Sequence, residues 1–262
     1  MQTHEPPTDA LLEDGAVPDP IFAHPRLAAI YDFIDAERSD LDSYVAFAEE
    51  VGARSVLDIG CGTGTFACRL ANSGKRVVGL DPALASLDVA RRKPGAGQVR
   101  WVHGHVSHLP ALNADLATMT GNVAQVFLTD IEWTHVLTAV QAALCPRGRL
   151  VFETRDPSRR AWEGWTREQT HRRVAIPQVG LVDTWIELVE VELPYVSFSH
   201  TFRFRSDGTE LRSASTLRFR GRDEVAGTLD AAGLRLREVR DAPDRPGREF
   251  VFVAQRLPGD TP

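Results

Sequence analysis

The residues with the clearest chemical meaning are three alternating glycines that follow a short apolar run. Gly60, Gly62 and Gly64 come directly after Ser55–Ile59, a run typical of a buried parallel strand. Alternating glycines let the backbone turn tightly and let a ligand approach it without interference from Cβ atoms. Asp58 lies two residues before the first glycine, where it would repel a pyrophosphate. The spacing therefore favours a ligand that has no phosphates and carries an ammonium group.

Strand, glycine turn and helix follow one another here, as they do in the cofactor sites of βαβ units. The dinucleotide fingerprint has its third glycine one residue later than Gly64. The sequence Leu57-Asp58-Ile59-Gly60-Cys61-Gly62-Thr63-Gly64 resembles the first motif of the class I S-adenosylmethionine-dependent methyltransferases. The resemblance implies S-adenosylmethionine as the cofactor, and it implies cofactor contacts by Asp58, Gly60, Cys61, Gly62 and Gly64. An NAD-type domain and a glycine turn without a ligand are the alternatives.

Two further positions fit the same family. Asp81 ends the next apolar run, 17 residues after Gly64, and the resemblance places its carboxylate at the ribose hydroxyls of the cofactor. Asp81 with Pro82 also fits the start of a helix, and both roles can hold together. At the third position the family has an acidic residue for the adenine amino group, whereas this chain has His105. The resemblance then leaves the adenine edge to the backbone of Val106, and a surface histidine is the alternative for His105.

The family also places residues from other segments around the cofactor. Its helices before the first strand lie over the cofactor, and Tyr31 and Asp32 are the residues that we expect there. A role for Tyr31 as an aromatic side chain at the edge of the core is the alternative. Thr120 follows the fourth predicted strand, near the position that the reacting methyl group takes in this fold. Asn122 is interpreted as a helix cap.

Three side chains are candidates for acceptor chemistry. Glu153 and Arg155 come at the end of the fifth predicted strand, where a carboxylate can act as a base and a guanidinium can bind an acidic acceptor. Pairing of these two residues with each other or with neighbours is the alternative. His200 lies among aromatic residues on one face of a predicted strand, and it is a further candidate base. A packed aromatic core is the alternative there.

These residues require a scaffold of alternating strands and helices. Apolar runs between residues 55 and 153 predict five strands, with helical patterns between them, and this order is typical of a parallel sheet with right-handed crossovers. The predicted strands are Ser55–Ile59, Arg76–Leu80, Val99–His103, Ala114–Met119 and Arg149–Glu153.

The remaining chain predicts an insertion and a return to the main domain. Three strands are expected at Leu181–Val191, Tyr195–Arg205 and Glu210–Arg220, with a hairpin at Asp207-Gly208. The resulting prediction is an α/β fold: a Rossmann-like seven-stranded methyltransferase sheet with helices on both faces and an antiparallel β insertion after the fifth strand. Its predicted parts are a disordered tail at 1–24, a cofactor-binding domain at 25–155 and 221–256, and a lid and insertion at 156–220 that is a candidate for acceptor or homodimer contacts.

Composition limits the partners. The 262 residues carry a net charge of −6, which argues against general nucleic-acid binding. Three widely spaced cysteines give neither a zinc pattern nor a disulfide framework, so no metal site is predicted and a reducing compartment fits. The sequence shows no signal-peptide pattern and no run of about 18 apolar residues, so we expect a cytoplasmic protein without a membrane partner.

The function predicted from these observations is methyl transfer from S-adenosylmethionine to oxygen or nitrogen of a small-molecule acceptor. Methyl transfer from a sulfonium requires mainly alignment of the nucleophile, methyl group and sulfur, so a base is optional. An NAD-type oxidoreductase and a non-catalytic cofactor-binding or partner-binding module on the same fold are the alternatives.

Overall fold

The computed structural model describes residues 17–257, which form eleven strands and nine α-helices within that range. The strands are β1 (Ser55–Ile59), β2 (Arg76–Asp81), β3 (Val99–His103), β4 (Ala114–Met119), β5 (Leu144–Arg155), β6 (Arg172–Ile176), β7 (Gly180–Glu192), β8 (Tyr195–Phe204), β9 (Glu210–Arg218), β10 (Leu234–Asp241) and β11 (Glu249–Arg256). The helices are α1 (Pro20–Ala23), α2 (Pro25–Ala28), α3 (Tyr31–Ile34), α4 (Asp40–Glu50), α5 (Thr65–Asn72), α6 (Leu84–Ala90), α7 (Asp130–Ala143), α8 (Arg167–Thr170) and α9 (Arg222–Ala231).

A seven-stranded sheet in the order β10-β11-β5-β4-β1-β2-β3 forms the centre of the molecule. Strands β1 to β5 pair in parallel, while β11 lies antiparallel between β5 and β10. The predicted α/β fold with a mostly parallel sheet is confirmed. Because β1 to β5 run in the same direction, their carboxyl ends meet at one edge of the sheet, which is where ligands bind in open α/β folds.

Helices cover both faces of this sheet, and the alternation of side chains along β1 shows which face each residue serves. Leu57 and Ile59 pack with α7 and α9 on one side. Val56 packs with α4 and α5 on the other. Asp58 shares the direction of Val56, because residues two apart in a strand point to the same face. The buried acid of the glycine motif therefore faces the side on which α4 and α5 pack.

The insertion forms a separate antiparallel sheet in the order β6-β7-β8-β9. The hairpin between β8 and β9 turns at Asp207-Gly208, where Gly208 has φ of 74°. The prediction of three strands in the insertion was wrong by one, because β6 was not recognised. This strand begins with two exposed arginines and has only Ile176 buried, so it lacks the alternating apolar pattern of a half-buried strand.

The helices before β1 pack against the insertion. Leu27, Ile30 and Ile34 form one apolar cluster with Phe202 and Phe204 of β8. The predicted tail at 1–24 falls mostly outside the described residues, which begin at residue 17. Helix α1 occupies Pro20–Ala23, however, so the predicted boundary of the tail is too late. Proline at the first helical position allows this short helix to begin, since its missing N–H has no partner there in any case.

No helix within residues 17–257 has both the length and the apolar character needed to cross a lipid bilayer.

Replacement of Phe202 by alanine should weaken the packing of the insertion against the helices before β1. Phe202 is buried in their shared cluster, so we expect Phe202→Ala to lower the free energy of unfolding by about 3–5 kcal/mol. Urea denaturation measures this change. The control is Leu181→Ala, since Leu181 is 44% exposed and its loss should cost about 0.5 kcal/mol or less. Equal effects of the two substitutions would contradict the shared cluster.

Candidate functional site

The glycine loop after β1 combines an open position with a closely packed one. Gly62 has φ of 52°, and a Cβ atom built on it would meet no atom within 4 Å. Gly64 has φ of 77°, and a Cβ atom there would lie 2.5 Å from the Trp101 ring and 2.7 Å from Ala90. Gly64 is thus required by packing within the protein. Gly62 instead leaves backbone accessible, which is what a ligand needs in order to approach it.

Asp81 fastens this loop to the end of β2. Its Oδ2 atom accepts a hydrogen bond from the Gly62 amide at 2.7 Å, and its Oδ1 atom accepts one from the Ala83 amide at 2.8 Å. Burial raises the pKa of Asp81, and the two amide bonds oppose that rise. The sequence had suggested that Asp81 and Pro82 begin a helix. Helix α6 begins instead at Leu84, so both residues precede it.

Asp58 is a buried carboxylate of which only one oxygen accepts a hydrogen bond. Its Oδ1 atom accepts from the Thr118 hydroxyl at 3.0 Å, whereas its Oδ2 atom is buried without a hydrogen-bond partner among residues 17–257. Burial raises the pKa of Asp58 to about 7, and the nearby charge of Asp81 adds to the rise. A buried acceptor without a partner is costly in free energy. The Asp58 carboxylate therefore suits a ligand that brings a hydrogen-bond donor with positive charge, such as an ammonium group.

Helix α3 is tied to the glycine loop by polar contacts. Asp32 accepts a hydrogen bond from the Thr63 hydroxyl at 2.6 Å and pairs with the Lys93 ammonium at 2.6 Å. The ammonium also lies 2.6 Å from the Thr65 hydroxyl. Lys93 was missed by the sequence reasoning. Only two of the 30 lysine and arginine residues are lysines. The rarity of lysine in this chain is the sequence signal that could have drawn attention to Lys93.

The other predicted cofactor contacts lie at the same edge of the sheet, with less to distinguish them. Tyr31 lies in α3 with its ring centroid 5.5 Å from that of Phe22, and burial raises its pKa to about 12, so its phenol stays protonated. Val106 is buried after β3, and half-buried His105 precedes it. Thr120 is buried directly after β4. Their contacts to a cofactor, like those of Cys61 in the loop, stay predictions.

The end of β5 holds a second buried acid. The Glu153 Oε1 atom accepts hydrogen bonds from the amides of Gly121 and Asn122, at 2.6 Å and 3.1 Å. Burial, followed by the charge of Glu249, raises the pKa of Glu153 to about 7. A carboxylate with that pKa can gain or lose a proton near neutral pH, as a general base must.

Glu249 joins this cluster from the start of β11, and the sequence reasoning missed it. In the antiparallel pairing of β11 with β5, Glu249 lies opposite Arg155. Its Oε1 atom accepts from the Asn122 side-chain amide at 3.3 Å and from Arg245 at 2.7 Å. Nothing in the local sequence marks Glu249 as a member of this cluster, because Asn122 lies 127 residues away in the chain. Asn122, interpreted earlier as a cap, makes no side-chain capping bond and has φ of 63°.

Arg155 lies beside this acid cluster. The guanidinium Nη1 donates to the Gln125 side chain at 3.0 Å, while its Nε stands 3.8 Å from Glu249. Its Cζ atom lies 5.7 Å from the centroid of the Trp165 ring. The carboxylate that pairs with Arg155 is therefore Glu249 rather than Glu153.

His200 lies in the insertion and is poorly suited to act as a base. Its Nε2 atom is 2.6 Å from the Thr184 hydroxyl, and its ring centroid is 4.1 Å from that of Phe202. Burial lowers the pKa of His200 to about 4, so the ring is neutral at pH 7 and a weak proton acceptor. The packed aromatic face, which was the alternative interpretation, describes His200 better, and Glu153 becomes the stronger candidate base.

Comparison with known proteins identifies the domain that carries this site. Residues 56–148 match the family described as "Methyltransferase domain". The chain carries a class I S-adenosylmethionine-dependent methyltransferase domain. The glycine loop, Asp58 and Asp81 lie within the matched part of this methyltransferase domain, while Glu153 and Glu249 lie beyond it.

The methyltransferase domain has relatives of known name. The chain is 30% identical over 132 residues to the cypemycin N-terminal methyltransferase of Streptomyces sp, covering 49% of this chain and 54% of the relative. It is 29% identical over 137 residues to the malonyl-[acyl-carrier protein] O-methyltransferase of Serratia marcescens, covering 50% and 51%. The chain thus spans about half the length of the curated relatives that it matches.

A solved structure shares the fold over more of the chain. It is S-adenosylmethionine-bound CalS10, an amino pentose methyltransferase from Micromonospora echinaspora, with a TM-score of 0.69 and 23% identity, over 87% of this chain and 95% of CalS10. These comparisons confirm the predicted family, whose cofactor is S-adenosylmethionine.

Removal of the buried charge of Asp58 should stabilise the ligand-free protein. Because the folded-state pKa of Asp58, about 7, exceeds the ordinary aspartate pKa of 3.8, the folded chain binds the extra proton and loses stability as pH rises between these values. We expect Asp58→Asn to raise Tm at pH 8, by about 2–4 °C for each kcal/mol recovered. The difference from the wild type should shrink by pH 5. Scanning calorimetry at both pH values measures it, and a variant less stable at pH 8 would contradict the unpaired charge.

Proposed function

We propose that this protein transfers a methyl group from S-adenosylmethionine to an oxygen or nitrogen atom of a small molecule. The observation that carries the proposal is the Asp58 oxygen, which is buried without a partner beside the open glycine loop. A diphosphate would meet repulsion there, whereas the α-ammonium group of the cofactor would supply the missing donor. One relative is named as an N-terminal methyltransferase and another as an O-methyltransferase, and these names support both kinds of acceptor atom.

Each end of the cofactor has a matching group in the site. The Asp58 carboxylate would bind the ammonium group, and the open space beside Gly62 would hold the methionine part. The Asp81 carboxylate, already fixed by two amides, retains acceptor capacity on both oxygens for the two ribose hydroxyls. Val106 would offer its backbone to the adenine edge. The bound cofactor supplies a methyl group already activated by the sulfonium.

Glu153 would remove the proton that the acceptor loses. Two amides occupy its Oε1 atom, so the proton would go to Oε2. Its pKa of about 7 leaves a large fraction of the carboxylate ionised at neutral pH, ready to accept that proton. The amides of Gly121 and Asn122 hold the carboxylate in one orientation, which keeps the base in place when the acceptor arrives. Release of the proton to solvent restores the base for the next turnover.

The two alternatives differ from this proposal in ligand or in turnover. An NAD-type oxidoreductase would bind NADH. A non-catalytic module would bind a partner and none of these cofactors, or would bind S-adenosylmethionine without turnover. Calorimetric titration with S-adenosylmethionine, S-adenosylhomocysteine and NADH separates the oxidoreductase and the partner-binding module from the proposal, because we expect binding of the first two compounds only. Release of S-adenosylhomocysteine in the presence of an acceptor separates the proposal from a non-catalytic cofactor-binding module. Binding of NADH alone would replace the proposal with the oxidoreductase. The homodimer contact through the insertion stays a prediction, for which light scattering gives the oligomeric state.

Loss of the Asp81 carboxylate should weaken cofactor binding. Asp81→Ala removes charge-assisted bonds worth on the order of 1.5–3 kcal/mol each, so we expect the Kd for S-adenosylhomocysteine to rise about tenfold or more. The matched control is Asp115→Ala. Asp115 also accepts bonds from two backbone amides, those of Arg54 and Ser55, but at the opposite edge of the sheet. If the two variants lose the same affinity, or if neither loses any, Asp81 has no ribose contact.

The proposed base predicts a particular pH dependence. Because Glu153 must be ionised to accept a proton, log(kcat/KM) should rise with pH to a plateau, with an inflection near pH 7. Glu153→Gln should remove that inflection and lower kcat about a hundredfold or more, measured as S-adenosylhomocysteine release with an acceptor found by screening. The control is Glu50→Gln, since Glu50 is exposed and pairs with Arg240 on the surface away from this cluster. An unchanged pH profile in Glu153→Gln would exclude it as the base.

A further inference from the structure

A cavity of about 630 Å³ opens next to the acid cluster, between the end of β5 and the start of β11. Two acidic residues, Glu163 and Glu249, line it. Five arginines also line it: Arg155, Arg159, Arg160, Arg245 and Arg248. The cavity lining is therefore positively charged, although the chain as a whole carries a net charge of −6.

Ion pairing divides these arginines into two groups. Arg160 and Arg245 each have a carboxylate oxygen within 3.0 Å, so their charge is compensated inside the protein. Arg155 and Arg159 have their carboxylate partners at 3.8 Å, beyond hydrogen-bond distance. Arg248 is exposed and forms no ion pair with any residue between 17 and 257.

Arg155 is the least satisfied of the three relative to its burial. A guanidinium has five N–H donors, and the only side-chain hydrogen bond of Arg155 within the described chain goes to Gln125. Its side chain is only 23% exposed, and burial lowers its pKa. An oxyanion that entered the cavity could take the unused donors in a two-pronged contact.

An aromatic wall stands on one side of the cavity. The half-buried ring of Trp165 lines the cavity. It packs edge-on against Phe198, with the two ring centroids 4.7 Å apart. Phe219 lies 6.4 Å from the same ring. These neighbours hold the indole in place, so it offers a fixed flat surface to a planar ligand.

We propose that this cavity is the acceptor site and that it selects a planar small molecule carrying an oxyanion, a carboxylate or a phosphate. The proposal rests on the proposed methyl transfer. Arg155, Arg159 and Arg248 bind the oxyanion, and Trp165 contacts the planar body. Arg155 lies two residues from Glu153 on the same face of β5, so an acceptor held at Arg155 has its reacting atom beside the proposed base.

The test measures the binding of matched probes to the full chain saturated with S-adenosylhomocysteine. The probes are benzoate, phenyl phosphate, neutral benzamide and inorganic phosphate, each titrated by calorimetry. We expect benzoate or phenyl phosphate to bind at least tenfold more tightly than benzamide and than inorganic phosphate. Preference for one of the two aromatic anions identifies the oxyanion. Binding of benzamide equal to that of both aromatic anions would overturn the proposal, and inorganic phosphate binding as tightly as they do would overturn the role of Trp165.

Three variants locate the binding. Arg155→Met should weaken binding of the preferred aromatic anion about tenfold or more. Arg248→Met should weaken it severalfold and should leave the fold intact, because the exposed Arg248 side chain forms no hydrogen bond or ion pair within the described residues. Arg212→Met is the control, since Arg212 is exposed, pairs with Glu210 and does not line the cavity, so the affinity of this variant should stay within about twofold of the wild type. Unchanged affinity in both Arg155→Met and Arg248→Met would overturn the site.

The outcomes keep this proposal apart from the proposed function. Failure of S-adenosylhomocysteine to bind, with the anions still bound at Arg155, would overturn the methyltransferase proposal and leave only an anion site. Binding of S-adenosylhomocysteine with no preference for the anionic probes would leave the methyltransferase and overturn the acceptor class.

Discussion

The cost of burying carboxylates at one edge of a parallel sheet shapes the whole site. Asp58, Asp81 and Glu153 lie at or near the carboxyl ends of β1, β2 and β5, and all three are buried. Burial of an ionised carboxyl group is unfavourable unless donors or cations compensate it, and the raised pKa values of all three acids express that cost. Asp81 and Glu153 obtain backbone amides as donors. Asp58 keeps one oxygen without any, and this deficit gives the strongest indication of a charged ligand.

The chain satisfies the remaining acids with residues from distant segments. Asp32 of helix α3 contacts the glycine loop and pairs with Lys93, which follows α6. Strand β11 brings Glu249 to Asn122 and Arg155. The insertion shares an apolar cluster with α2 and α3, so the segments on either side of the site pack as neighbours. Helix α3 thus contacts both the glycine loop and the insertion.

Elements with strong local patterns were predicted well. Strands β1, β3 and β4 begin and end at the predicted residues, because each is a short apolar run with clear breaks on both sides. Strand β6 was missed because its residues are mostly exposed and begin with two arginines. The helical segment before β1 that carries Tyr31 is divided into two short helices, α2 and α3. Apolar spacing alone does not reveal where the chain leaves helical geometry between them.

Sequence alone determined the family, the glycine loop with its acid, and the mostly parallel sheet, because these depend on residues close together in the chain. Only the tertiary structure decided which polar groups meet across strands. It placed His200 in a packed core with a pKa of about 4, brought Glu249 opposite Arg155, and left the second oxygen of Asp58 without a donor. Burial and pairing depend on neighbours that are far apart in the sequence, so no local pattern could reveal them.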